Sequence, residues 1–177
     1  MPIYARRKES TFTPAPEGLH VAVCADVWQP WTEERREDWG GGLVDKTRVV
    51  WLVEEINPKT QKPYEVSQIY TLSLHEKSKL SSHLESWRGK KFTDEERAGF
   101  DVEKLIGVSC QVQVVHKITD GGTYANVQAV VPLGKGQVRL RVPDGYVRRK
   151  DREGVSSPSY GGDNGQVPED DSDDVPF

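Results

Sequence analysis

The chain is short of cysteine, of long apolar runs and of closely spaced histidines, and each shortage excludes something. Cys24 and Cys110 are the only two cysteines in 177 residues. They are too few for a disulfide framework and too far apart for a metal-ligand pair, so free buried thiols are expected. No stretch approaches the roughly 18 apolar residues of a membrane span, and the first fifteen residues hold no apolar segment of the kind that directs secretion, so a cytoplasmic protein with no membrane partner is expected. His20, His75, His83 and His116 never fall as a close pair, which implies no local zinc site. Gly134-Lys135-Gly136 lacks both the upstream glycine and the following Ser or Thr of a phosphate-cradling loop. Glu54-Glu55 and Glu95-Glu96 are sequence neighbours, and adjacent side chains diverge on a strand or a helix alike. No metal, cofactor or catalytic set is therefore expected, and the chain reads as a binding protein rather than an enzyme.

What the chain has is a division of charge. The net charge is −4, but residues 151–177 carry eight acids and one base, whereas residues 1–150 carry 23 bases and 20 acids. Between Lys135 and Lys150 there are six bases and one acid. A basic body beside an acidic tail suits a polyanionic partner for the first and a basic partner for the second.

Three regions follow. Residues 1–17 are polar, contain the cluster Arg6-Arg7-Lys8, and read as a loosely ordered basic arm. Residues 18–150 hold the apolar periodicity of a folded domain. Residues 151–177 are rich in Gly, Ser, Pro, Asn and Asp, cannot bury enough apolar area to offset their ordering entropy, and read as a disordered linker with an acidic tip.

Inside the domain, Leu19, Val21, Val23, Ala25 and Val27 recur at every second position, which predicts a strand with these residues facing the core and His20, Asp26 and Trp28 facing away. Residues 29–45 read as a long loop carrying Trp31, Trp39 and three consecutive glycines. Lys46 to Ile56 and Tyr64 to Leu74 read as a hairpin around Asn57-Pro58. Leu80, Leu84 and Trp87 have helical spacing, with Ser73 and Glu76 spaced as a capping box and Gly89 as the stop. Thr93 and Glu96 repeat the box before a second short helix. Val108 to Lys117 and Thr123 to Leu133 form a hairpin around Asp120-Gly121-Gly122, and residues 136–142 alternate once more, with Arg139 and Arg141 on one side. The expected fold class is all-β with one or two helices. The order strand, strand, strand, helix, strand, strand is that of an OB-fold, a five-stranded Greek-key barrel with a helix between strands three and four, whose second and third strands and flanking loops bind oligonucleotides or oligosaccharides.

Five tryptophans and six tyrosines supply surfaces for stacking. Unpaired nucleic acid is held by cations along its phosphates and by aromatic faces against its bases. The candidate residues are Trp28, Trp31, Trp39, Trp51, Tyr70 and Tyr124 as platforms, with Arg48, Lys117, Arg139 and Arg141 as cations. Trp51 and Tyr70 lie on strands whose faces the sequence alone leaves unassigned, so each stays open between platform and core. Trp87, on the apolar stripe of the helix, is expected in the core.

Asp173-Asp174-Val175-Pro176-Phe177 resembles the acidic tip of bacterial single-stranded DNA-binding proteins, and the Gly/Ser/Pro/Asn linker before it is similar to theirs. The body, with its tryptophan-bearing loop and Glu85-Ser86-Trp87-Arg88-Gly89-Lys90-Lys91-Phe92, looks more like a phage or mobile-element variety. The resemblance implies a protein that coats single-stranded DNA during replication, recombination and repair. It further implies that Asp170, Asp171, Asp173, Asp174, Val175, Pro176 and Phe177 recruit partner enzymes, the ring entering an apolar pocket and the acids meeting a basic rim. A homo-oligomer is compatible with these features, and RNA is an alternative ligand. Two rival readings are an acidic-tailed adaptor or DNA-mimic inhibitor that does not itself bind DNA, and a nuclease with a dispersed carboxylate site.

Overall fold

The computed structural model describes residues 13–152. Its backbone is mostly strand: β1 (Gly18–Val27), β2 (Trp31–Glu34), β3 (Leu43–Asn57), β4 (Lys62–Thr71), β5 (Ser109–Thr119) and β6 (Gly122–Val131), with α1 (Lys79–Arg88) and α2 (Asp94–Ala98) between β4 and β5. All six strands form one open antiparallel sheet in the order β2-β3-β1-β5-β6, with β4 on the other edge of β3. β1 and β2 lie end to end along the same edge of β3, pairing Val27 with Val49 and Trp31 with Lys46. Among the described residues no helix is long and apolar enough to cross a membrane.

The helices begin and end for local reasons. Ser78 caps α1 by accepting from the Ser81 amide, and Gly89 closes it in the left-handed conformation at φ 73°, where a side chain would be strained. Ser73, expected to do the capping, instead accepts from the His75 amide one turn too early. Thr93 and Glu96 form the expected box at the start of α2. Leu80, Leu84 and Trp87 are all buried on one side of α1, as their spacing requires.

One face of the sheet packs on these helices. Ala22, Cys24 and Val27 of β1, Val49, Trp51 and Val53 of β3, Val66 and Tyr70 of β4, and Val112, Val114, Val127 and Val130 of the β5–β6 hairpin form this core with α1. On β1 the expected faces are exchanged from Ala22 to Ala25, while Val27 faces the core and Asp26 and Trp28 face away as expected. Val23 and Ala25 point to the other face with Leu52, where they meet Leu140, Val142 and Tyr146, and Leu19 is exposed. The inversion was hidden because β1 is apolar on both faces: every residue from Val21 to Val27 is buried, Asp26 included.

Three further expectations change. Residues 29–45, read as a loop, contain β2 and a single turn of 3-10 helix, Glu37–Trp39. Residues 13–17, read as part of the arm, are packed: Ala15 is buried and its carbonyl oxygen is 2.6 Å from His116 Nε2, while the Glu17 carboxylate accepts from the His116 amide at 2.7 Å. Residues 136–142, read as strand-like, form no strand. They belong to a strap, 134–152, laid across the outer face of the sheet.

His83 is buried in the helix–sheet seam, 2.7 Å from the Tyr70 hydroxyl through Nδ1. Burial, with the nearby Lys79 charge, pulls its pKa down to about 4, so the ring is neutral in the folded protein at pH 7. An unfolded histidine protonates near 6.5, so the unfolded chain binds the extra proton first as pH falls. This contribution is complete above pH 6.5 and is lost between there and pH 4, amounting to about 3 kcal/mol. Urea unfolding at pH 7 and pH 4 should therefore show a stability loss in the native protein that is reduced in His83→Gln.

Candidate functional site

The outer face of the sheet is where polar chemistry collects. Antiparallel pairing places Arg48, Val50 and Leu52 of β3 opposite Ile69, Ser67 and Glu65 of β4, and directly paired residues project from the same side. On β1, the register advances two residues between Cys24 and Asp26 while β3 advances one, a bulge with Ala25 as the extra residue. The bulge puts Ala25 and Asp26 both outward, returns Val27 to the core and turns Trp28 outward beside Arg48.

Trp28 is the centre of this site. The Arg48 guanidinium carbon lies 4.2 Å from its ring centroid and that of Arg149 lies 3.7 Å away. The Trp31 ring follows at 6.4 Å, tilted by 54°. Burial, and then the Arg149 charge, lower the pKa of Arg48 to about 10, and its Nε is buried with no hydrogen-bond partner. Two guanidinium groups thus share one indole without neutralising each other, and one keeps an unused donor. An incoming anion would relieve the repulsion, while the ring offers a flat surface for a base.

The strap brings Arg149 into place. Asp26, with 2% of its side chain exposed, accepts from Arg148 Nε at 3.0 Å and from the Arg149 amide at 2.8 Å. Arg148 also donates to Glu103 at 2.8 Å and to the Val27 carbonyl at 3.3 Å. A carboxylate so deeply buried needs such partners, and satisfying it fixes the backbone next to Trp28. Farther back, the Ser109 hydroxyl donates to the Leu140 carbonyl at 3.0 Å and Gln137 donates to Gln111 at 3.1 Å. Burial, with Glu65 and Asp26 near, pushes the Tyr146 phenol upward.

No family model matches the chain, and no curated protein does.

Of the residues singled out from the sequence, Trp28, Trp31 and Arg48 come together here. Arg139 and Arg141 are exposed on the strap. Trp39 is half-buried in its 3-10 turn on the β2–β3 hairpin. Lys117 and Tyr124 are direct partners across the β5–β6 hairpin, but that hairpin extends past the Gly18 end of β1, whereas Trp28 follows its other end. Ten residues of strand separate the two ends, on the order of 30 Å at ~3.3 Å per residue. They are two ends of a surface, not one pocket.

Trp51 and Tyr70 are not platforms. Trp51 is 1% exposed and packs its ring 6.1 Å from that of Trp87; Tyr70 is 3% exposed and its hydroxyl is engaged by His83. Both point to the core because Arg48 and its alternates hold the outward positions of β3, and β4 follows that register. Arg149 and Asp26 were missed. The signal for Asp26 was an acid inside an apolar alternation; for Arg149 there was only the local excess of positive charge. The tip residues Asp170 to Phe177 and the cluster Arg6-Arg7-Lys8 lie outside the described residues.

Proposed function

We propose that this chain binds single-stranded DNA with little sequence preference, as a binding protein and not an enzyme, through the outer face of β1, β3 and β4. The observation that carries the reading is the Trp28 ring with the guanidinium groups of Arg48 and Arg149 against it and Trp31 beside it. A ring that any base can stack on, next to cations that any phosphate can meet, recognises unpaired strands by their common chemistry.

The fold reading that accompanies it is an OB-type barrel. Here β1, β3, β4, β5 and β6 take the five places, and β2 is an extension of the first connection. The sequence of elements, the helices between β4 and β5, and the approach of β4 to β6 across the core support that reading, since such barrels close only in part. In it, the β2–β3 region with Trp31 and Trp39 and the β5–β6 hairpin with Lys117 and Tyr124 become the two flanking binding loops. Recruitment of replication, recombination or repair enzymes by Asp170 to Phe177 in the cytoplasm rests on the sequence resemblance.

Titration with oligo-dT tests the proposal. Tryptophan fluorescence should be quenched on binding. With Arg48, Arg149, Arg139 and Arg141 on phosphates, log K should fall against log salt with a slope of about −3, given about −0.7 per phosphate neutralised. Absence of both quenching and a gel shift at low salt would remove the reading. Oligo-U run in parallel decides between DNA and RNA.

A further inference from the structure

The site is complete in charge yet covered. Leu140, Val142 and Tyr146 of the strap lie against Val23, Ala25 and Leu52 on the outer face of β1 and β3, and Arg149 lies 3.7 Å from the Trp28 ring. A base cannot stack on the indole face that Arg149 occupies, nor reach Leu52 and Val23 beneath the strap. The part of the sheet surface that the proposed function would use is thus occupied by the chain itself.

The strap ahead of Arg148 is also weakly attached. Among the described residues, its backbone–backbone hydrogen bonds are short turns of its own, Gln137 to Gly134, Tyr146 to Pro143, Asp151 to Arg148 and Arg152 to Arg149; none joins it to a strand. Residues 134–147 are held by side-chain bonds at Gln111 and Ser109 and by three half-buried apolar side chains, with Val138 left 79% exposed, whereas Arg148 and Arg149 are anchored to Asp26, Val27 and Glu103. Segments with few buried contacts and no ladder bonds open at a small fraction of the global unfolding free energy. Residues 134–152 carry seven bases and two acids, so a polyanion is drawn to the segment that blocks its site.

Resting on the single-strand reading of the same face, we infer that residues 134–147 of the strap are a displaceable lid: they close over β1 and β3 in the free protein and swing away from the anchor at Arg148 and Arg149 when a single strand binds, bases replacing Leu140, Val142 and Tyr146. The strand then gains the apolar floor beside Trp28 while Arg48 and Arg149 stay in place. The closed form keeps that floor from water and from nonspecific apolar contacts.

Affinity in such a scheme scales with the fraction of protein already open. In the full chain, Leu140→Ser combined with Tyr146→Ser loosens the lid and leaves Trp28, Arg48 and Arg149 in place. Oligo-dT should then bind about tenfold more tightly than to the native protein, the gain being limited by how rarely the native lid opens. Unchanged or weaker binding overturns the lid and makes the strap a fixed wall or part of the site. In a second experiment on otherwise native protein, Val142→Cys reports lid position by its alkylation rate, Cys24 and Cys110 being buried. Saturating oligo-dT should speed alkylation several-fold; slower or unchanged alkylation overturns displacement. If neither the native protein nor the double variant binds oligo-dT, the single-strand reading fails and the lid fails with it. If the native protein binds and the strap variants change nothing, the lid alone fails.

Discussion

Trp28→Ala is expected to weaken oligo-dT binding by about 5- to 150-fold, the equivalent of one base–aromatic stack at ~1–3 kcal/mol. The half-buried ring lies against two arginines rather than in the core, so the folded state loses little. Arg48→Ala should give a different signature. It removes one phosphate contact, so the salt slope becomes shallower by about 0.7, and the loss of affinity shrinks as salt rises. Trp28→Ala should lose affinity at all salt concentrations. Fluorescence titrations of both variants at two salt concentrations separate stacking from charge. Equal losses for both, vanishing together at high salt, would mean that the indole serves only to hold Arg48 and touches no base.

The largest effect on stability is expected at Trp51. This ring is 1% exposed, packs at 6.1 Å against Trp87 and lies between Val49 and Val53 on the inner face of β3. Trp51→Ala leaves a cavity in the middle of the sheet and should lower the unfolding free energy by about 3–5 kcal/mol. Trp51→Phe keeps an aromatic ring and most of the packed volume, so it should cost distinctly less. Chemical denaturation measures both. Trp51→Phe should also bind oligo-dT as the native chain does; a large loss of affinity in a stably folded Trp51→Phe would return Trp51 to the binding surface.

The sequence and the structure agree where the controlling chemistry is local. Gly89 ends α1 because a left-handed residue is needed there, and Thr93 with Glu96 starts α2 because each satisfies a backbone amide of the other. Both are legible from neighbouring residue types. The hairpin at Asp120-Gly121-Gly122 is equally local. Ser78 took the cap assigned to Ser73 because both are serines ahead of Leu80, the first apolar position of α1, and only the path of the chain out of β4 chooses between them.

The candidate site was half legible. An arginine and two tryptophans were identified, but their companions Asp26 and Arg149 are 123 residues apart and meet through a hydrogen bond between a β1 carboxylate and a strap amide. Trp51 and Tyr70 stay open between platform and core in the sequence because a period of two says which residues share a face and not which face is covered.

By itself the sequence determined the kind and order of the main strands and helices, the α2 box and the glycine stops and turns that bound them, the all-β character and the separation of a basic body from an acidic end, since short-range backbone chemistry and composition fix these. Only the tertiary structure decided which side of β1 and β3 became the interior. Both sides are apolar, and the choice was made by the helices covering one and the strap covering the other, partners that no local pattern names.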